Sequence, residues 1–180
     1  MVPAMSTPSF IVELRSLIGH RPLWLSCAVA VVLDDDGQVL LERRADTGAW
    51  TLPGGIIDPA EQPADAAVRE CFEETGVIAV PEVLTSVSVS QPVTYPNGDQ
   101  TQYLVLTFRC RAVGGEARVN DEESLEVGWH ALDALPELDE GNLNWLTRAL
   151  ESNGEAAYSF SGLAEVLGPP SSEGSRHPTA

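Results

Sequence analysis

The stretch Gly55–Val77, GIIDPAEQPADAAVRECFEETGV, determines how the rest of the chain is interpreted. It fits the pattern G-x5-E-x7-R-E-U-x-E-E-x-G-U, in which U is an apolar residue. The seven fixed positions are filled by Gly55, Glu61, Arg69, Glu70, Glu73, Glu74 and Gly76. Pro63 suits the first turn of a helix, where its missing N–H costs nothing, and Gly76 suits the C-terminal stop. The stretch therefore predicts a loop followed by a helix.

The predicted helix has an apolar face and an acidic one. Glu70, Glu73 and Glu74 are neighbours on its surface because they are three and four residues apart. Three like charges near a helix C-terminus repel one another and oppose the helix dipole. Mg²⁺ favours such an arrangement because it binds carboxylate and phosphate oxygens together. The alternative is a solvated acidic face, the usual meaning of a run of charges.

The pattern resembles the Nudix box of the Nudix hydrolases, and the resemblance extends over roughly Leu25–Leu150. It implies an α/β fold, an α/β/α sandwich with a mixed central sheet. It also implies hydrolysis of the pyrophosphate bond in a nucleoside diphosphate linked to a further group X. Mg²⁺, or Mn²⁺ in its place, would neutralise the charge that builds up on the oxygens.

Roles for the box residues follow from the same resemblance. Metal binding and catalysis are assigned to Glu70, Glu73 and Glu74, with a backbone carbonyl of Gly54 or Gly55 as a further metal ligand. Arg69 is expected to pair with Glu61 and hold the loop, which is a structural role.

Two regions outside the box supply further candidates. Family members often carry another catalytic glutamate a few residues before a Trp-containing strand, and here Glu123 precedes Trp129 by six residues. Glu122 and Glu126 are the alternatives, and an acidic loop on an acidic protein would explain all three. Arg43 and Arg44 end a predicted strand just before the box. Either guanidinium suits a substrate phosphate, although an edge-strand charge is an equally good explanation.

The composition limits the partners and the compartment. Of 180 residues, 43% are hydrophobic and 21% charged, as in a globular protein. The net charge is −17 and the ten basic residues are all Arg, which disfavours nucleic acid and anionic membranes as partners. Three scattered cysteines, Cys27, Cys71 and Cys110, indicate reduced thiols in a cytoplasmic protein. The N-terminus does not resemble a signal peptide.

The chain divides into three predicted parts. Residues 1–21 form an extension with a short amphipathic helix, Ser9–His20, which packs on the domain edge or on a second subunit of a homodimer. Residues 22–150 form the Nudix domain, with a hairpin turn at Asp34–Gly37 and another at Gly114-Gly115. Residues 151–180 form a C-terminal segment whose end, Gly168–Ala180, has the composition of a disordered tail.

Two other functions stay open beside hydrolysis. A nucleotide-sensing Nudix domain without catalysis would control transcription, and a prenyl diphosphate isomerase uses the same fold. The complete set of box carboxylates disfavours both. The sequence leaves the hydrolytic substrate open between nucleoside triphosphates and ADP-ribose-like sugar nucleotides.

Overall fold

The computed structural model describes residues 7–162 and 165–166. Three helices and eight strands follow one another along this part of the chain: α1 Ser9–Ile18, β1 Leu23–Leu33, β2 Val39–Arg44, β3 Trp50–Thr51, β4 Gly54–Ile56, α2 Pro63–Thr75, β5 Val77–Val89, β6 Val93–Thr94, β7 Gln100–Gly115, β8 Ser124–His130 and α3 Glu140–Glu151. The predicted tail, Gly168–Ala180, lies outside the described residues.

The sheet is mixed, and β1 lies at its centre. β1 runs parallel to β7 along its whole length, from Leu23 opposite Thr101 to Leu33 opposite Arg111. β4 and β2 pair with β1 in the antiparallel sense, and β5 pairs antiparallel with β7. β8 pairs with β2. This arrangement places the box and the acidic segment before β8 on the same side of β1.

Successive side chains of β1 belong alternately to two hydrophobic cores, one on each face of the sheet. Ala28, Ala30 and Val32 are buried beneath α2, whereas Val29 and Val31 are buried on the side of α3. Successive side chains of a strand point to opposite faces, so a continuous apolar run fills both layers. The prediction of an α/β/α sandwich with a mixed sheet is confirmed.

The ends of α2 follow the local sequence. Pro63 occupies the first turn, and Gly76 adopts the left-handed conformation (φ 72°, ψ 2°) while its N–H donates to the carbonyl of Phe72. Glycine takes this conformation without the strain that a Cβ would bring. β5 begins at the next residue, which joins the acidic end of the helix directly to the sheet.

The hairpin predicted at Gly114-Gly115 is wrong. These glycines end strand β7 and lie opposite Ile78 and Val77 of β5. A Cβ on Gly115, whose φ is 79°, would lie 3.0 Å from the backbone nitrogen of Ile78. Gly115 thus permits a close approach of the two strands, a need that local sequence does not distinguish from a turn.

Helix α1 packs on the edge of the domain. Ile11 is buried, and the Arg15 guanidinium donates to the carbonyl of Gln100 at 2.8 Å. His20 and Asp99 form a further contact at 2.8 Å between Nδ1 and Oδ1. Among the described residues, no helix is both long enough and apolar enough to cross a membrane.

Candidate active site

The box helix buries one of its glutamates completely. Glu74 is 4% exposed, and its Oε2 accepts the N–H of Gly54 at 3.0 Å. Gly54 reaches this position because β4 approaches β1 closely: a Cβ on Gly54 would lie 2.9 Å from the Cα of Val29. The loop before the box and the end of the box helix are therefore joined through Glu74.

Glu70 lies one turn earlier, and Gly55 makes room for it. Its side chain is 16% exposed, and its Oε1 is 2.9 Å from Nη1 of Arg69. A Cβ on Gly55 would lie 2.8 Å from Glu70 Oε2 and nearer still to Oε1, so a larger residue would displace the carboxylate. The glycine at this position of the box thus has a steric cause.

Arg69 connects the loop to the helix. Its Nε and Nη2 donate to the two oxygens of Glu61 at 2.7 and 2.9 Å, and Nη2 also donates to the carbonyl of Ile56 at 3.2 Å. Its Nη1 contacts Glu73 Oε2 at 3.0 Å. Glu73 is 53% exposed. The structure thus distinguishes the three box glutamates, two of them enclosed and one facing solvent.

A fourth carboxylate, which the sequence pattern does not single out, lies beneath them. Glu42 of β2 is 2% exposed, and its Oε2 accepts a short hydrogen bond from the Ser124 hydroxyl. Its position in the strand places it on the face of Leu40, which belongs to the core under α2. An acidic residue within the run VLLERR was the available signal, because acidic residues are rare in buried strands.

The acidic segment before β8 comes to the same place. Glu123 is half-buried, and its charge acts on the carboxyls of Glu70 and Glu42. Glu122 is exposed, and Glu126 pairs with Arg43 at 3.5 Å on the opposite face of β2. Of the three candidates for a further glutamate, the structure brings only Glu123 to the box carboxylates.

Asp121 also belongs to this group, which we term the acidic cluster: Glu42, Glu70, Glu74, Asp121 and Glu123. Burial is the first cause that raises the pKa of Glu70 to about 7, and the nearby charges of Glu73 and Glu123 add to it while Arg69 opposes it. Burial likewise raises the pKa of Glu42 to about 7. The pKa of Glu74 is raised well above its ordinary value by burial, then by Glu42 and Glu70. Burial thus disfavours the charged form of all three carboxyls.

The two candidate arginines lie on opposite faces of β2. Arg44 shares the face of Glu42, and its charge acts on both Glu42 and Glu74. Its Nε and Nη2 donate to the two oxygens of Asp46 at 2.9 and 2.8 Å, which fixes the plane of the guanidinium. Arg43 faces away with Glu126. Arg44 is therefore the one beside the acidic cluster.

The last turn of α2 is tied to the segment after β7. The N–H of Arg118 donates to the carbonyl of Thr75 at 2.9 Å, and the Asn120 side chain donates to the carbonyls of Phe72 and Glu73 at 2.9 and 3.3 Å. The final carbonyls of a helix lack partners within it, so these bonds satisfy them. They also fix the acidic segment beside the glutamates.

The donor set at the end of the box helix, Glu70, Glu73 and Glu74, fits a divalent metal ion, since each side chain offers carboxylate oxygens. Within the described residues, no three His, Cys, Asp or Glu side chains form a ready-made metal group. Glu70 and Glu73 instead contact Arg69, and Glu74 contacts Gly54. Binding a metal would therefore require these glutamates to exchange partners.

A cleft of about 610 Å³ opens beside the box loop. Its walls come from α1, β1, the box loop and β7, and include Phe10, Trp24, Ile56, Glu61 and Leu106. The volume lies in the range typical of small-molecule sites, about 300–1,000 Å³. Ile56 and Glu61 both contact Arg69, which contacts Glu70, so Arg69 links the wall of the cleft to the acidic cluster.

An α/β/α sandwich whose box helix ends in enclosed glutamates defines the Nudix class of hydrolases. The family model for the NUDIX domain matches residues 24–149. The chain therefore belongs to the Nudix hydrolase family and is a Nudix pyrophosphohydrolase.

Individual relatives agree with this assignment. The chain is 37% identical over 116 residues to a MutT-like protein of Streptomyces ambofaciens, covering 64% of this chain and 70% of the relative. It is 34% identical over 134 residues to an ADP-ribose pyrophosphatase of Methanocaldococcus jannaschii, covering 71% and 75%. A solved MutT NUDIX hydrolase from Burkholderia pseudomallei superposes with a TM-score of 0.59 at 29% identity, covering 70% of this chain and 98% of that one.

Proposed function

We propose that the protein hydrolyses the pyrophosphate bond of a nucleoside diphosphate linked to a further group X, and that it uses Mg²⁺ or Mn²⁺. The observation that carries the proposal is the enclosure of Glu70 and Glu74 beside Glu42 at the end of the box helix. Ionised carboxylates destabilise a fold when they are buried, and a bound cation would stabilise their ionised form. Relatives that include an ADP-ribose pyrophosphatase support a nucleotide substrate.

The site residues take separate roles in this proposal. Glu70 and Glu74 hold the metal, with Glu73 and a carbonyl of Gly54 or Gly55 as further ligands. When bound, the metal neutralises the charge that develops on the phosphate oxygens. Glu61 and Arg69 keep the loop in place, through the paired contacts already described.

Glu123 is proposed to accept a proton from the attacking water. Glu123 is half-buried beside the box carboxylates, and its charge acts on Glu70. Removing the proton strengthens the nucleophile that attacks phosphorus. Arg44 is the proposed contact for a substrate phosphate, since it lies on the face of the acidic cluster and its guanidinium offers planar donors.

The decisive experiment is a substrate screen, in Mg²⁺ and in excess EDTA, that follows the nucleoside monophosphate formed when the pyrophosphate bond is cleaved. Nucleoside triphosphates, ADP-ribose and other sugar nucleotides form the test set, with isopentenyl diphosphate as the isomerase probe. We expect a nucleotide to be cleaved in Mg²⁺ and turnover to stop in EDTA. Saturable nucleotide binding without product would favour a nucleotide-sensing domain. Isomerisation of isopentenyl diphosphate would favour a prenyl diphosphate isomerase.

A variant series tests the role of Glu123. Glu123→Gln should reduce kcat by about 10²-fold or more, the range for loss of a general base. Glu122→Gln and Glu126→Gln are matched controls because one is exposed and the other pairs with Arg43. A larger loss in either control would place the water-activating group elsewhere in the segment.

We also propose a cytoplasmic location. The three cysteines are free thiols, and burial raises the pKa of each to about 12, so they stay protonated and unreactive. Buried reduced thiols are typical of reducing compartments.

A homodimer is proposed through α1, whose Val12 and Leu17 are exposed, and light scattering would test it.

A further inference from the structure

Glu42 is a buried acid for which the proposed reaction has no use. An apolar side chain beside Leu40 would make the fold more stable, because an enclosed carboxylate loses its hydration. Its Oε2 instead accepts a hydrogen bond from the hydroxyl of Ser124, which is itself buried. The two residues are 82 positions apart, so the bond joins β2 to the first residue of β8.

Ser124 reaches Glu42 because the ladder between β2 and β8 is irregular. Arg43 lies opposite Glu126 and Arg44 lies opposite Ser124, so Leu125 is an extra residue on β8. Such a bulge re-aims the neighbouring side chains. Leu125 is 52% exposed, whereas Ser124 is directed to the inner face.

The residues just before Ser124 are held by further bonds. Oδ1 of Asp121 accepts the N–H groups of Glu123 and Ser124 at 3.0 and 3.2 Å. The carbonyl of Glu123 accepts the N–H of Ala45 at 2.7 Å. The backbone of Glu123 is thus fixed on both sides, and the bond between Glu42 and Ser124 fixes the next residue from the core.

We propose that Glu42 is a positioning residue that acts through Ser124. It holds the turn of Asp121–Ser124 so that the Glu123 carboxylate faces Glu70. This proposal rests on the proposed role of Glu123 in activating water. It assigns Glu42 no contact with substrate or metal, and the hydrogen bond rather than the negative charge is the property that matters.

The first experiment measures the position of the turn without any reaction. Amide hydrogen exchange is followed in the metal-free full-length protein over a peptide that includes Glu123 and Ser124. Ser124→Ala should speed exchange there by about tenfold, as expected when a local hydrogen bond is lost and the segment opens more often. Ser86→Ala is the matched control, since Ser86 is also buried and its hydroxyl has no hydrogen-bond partner among the described residues. Unchanged exchange in Ser124→Ala would overturn the proposal, whatever the enzyme hydrolyses.

The second experiment tests whether positioning acts through Glu123. Ser124→Ala should lower kcat by about tenfold with KM nearly unchanged, because small displacements of a catalytic group reduce the rate of the chemical step. In a Glu123→Gln background the same change should lower kcat by less than about twofold, since residues that act as a unit are not additive. An equal loss in both backgrounds would show a general structural defect and refute the proposal.

The variant Glu42→Gln separates hydrogen bonding from charge. An amide oxygen still accepts a hydrogen bond from the Ser124 hydroxyl, so Glu42→Gln should keep kcat within about threefold of the wild type. Leucine has no acceptor, so Glu42→Leu should lower kcat as much as Ser124→Ala does. If Glu42→Gln and Glu42→Leu lose activity equally, the charge is what matters and Glu42 is not a positioning residue. If Ser124→Ala speeds exchange but Glu123→Gln retains full activity, the role proposed for Glu123 fails and positioning of the turn stands.

Discussion

Replacing Glu70 with glutamine should stabilise the metal-free protein at alkaline pH and not at acidic pH. The pKa of the Glu70 carboxyl rises from an ordinary value of 4.5 to about 7 in the folded protein, chiefly through burial. The folded state therefore binds this proton more tightly than the unfolded state does. The stability contributed by the group is fully present below pH 4.5 and is lost as the pH rises to about 7.

The size of the effect follows from the same pKa values. A difference from 4.5 to about 7 corresponds to about 3 kcal/mol, at about 1.4 kcal/mol for each pKa unit. Glutamine does not ionise, so Glu70→Gln escapes this loss of stability. Its free energy of unfolding, relative to that of the wild type, should therefore rise by about 3 kcal/mol between pH 4.5 and pH 8. For a chain of this length, 3 kcal/mol corresponds to a rise in Tm of about 6–12 °C. Two surface carboxylates repelling each other would give only about 1 kcal/mol.

The assay is urea or thermal denaturation of both proteins in EDTA at pH 4.5, 6, 7 and 8. Glu73→Gln is the control, because Glu73 is on the same helix but 53% exposed, and its neutralisation should change stability by at most about 1 kcal/mol. Added Mg²⁺ should stabilise the wild type more than Glu70→Gln, since a ligand that binds only the folded state raises its stability. A stability difference that is the same at pH 4.5 and pH 8 would refute the reasoning.

Three further predictions concern the surroundings of the box. Gly55→Ala should displace the Glu70 carboxylate and abolish most of the stabilisation by Mg²⁺, measured as the shift of Tm; a wild-type shift would contradict the steric argument. Asn120→Ala removes two hydrogen bonds to the end of α2 and should lower the free energy of unfolding by about 1–3 kcal/mol, measured in urea. Arg69→Lys cannot form the two-point contact with Glu61 and should lower the Tm by more than Arg148→Lys, a control on the last turn of α3; equal effects would argue against the structural role.

Local chemistry makes several features of this fold predictable from the sequence alone. Helix α2 begins at Pro63, which lacks an N–H, and ends before Gly76, which tolerates a positive φ. The three aspartates before Gly37 form a turn, in which Asp34 Oδ1 accepts the N–H groups of Asp36 and Gln38 at 3.0 and 2.8 Å. Each of these features depends on residues within a few positions of one another, and such interactions are readable from sequence.

The make-up of the acidic cluster depended on the tertiary structure. Helical spacing groups Glu70, Glu73 and Glu74, but it does not show that Glu74 is enclosed while Glu73 faces solvent. That difference arises because β4 packs against one side of the helix, where the N–H of Gly54 donates to Glu74. Glu42 stands out in the sequence only as an acid within an apolar strand, and its partner Ser124 is 82 residues away. Burial and charge compensation depend on what packs against a face, and periodicity shows only that a face exists.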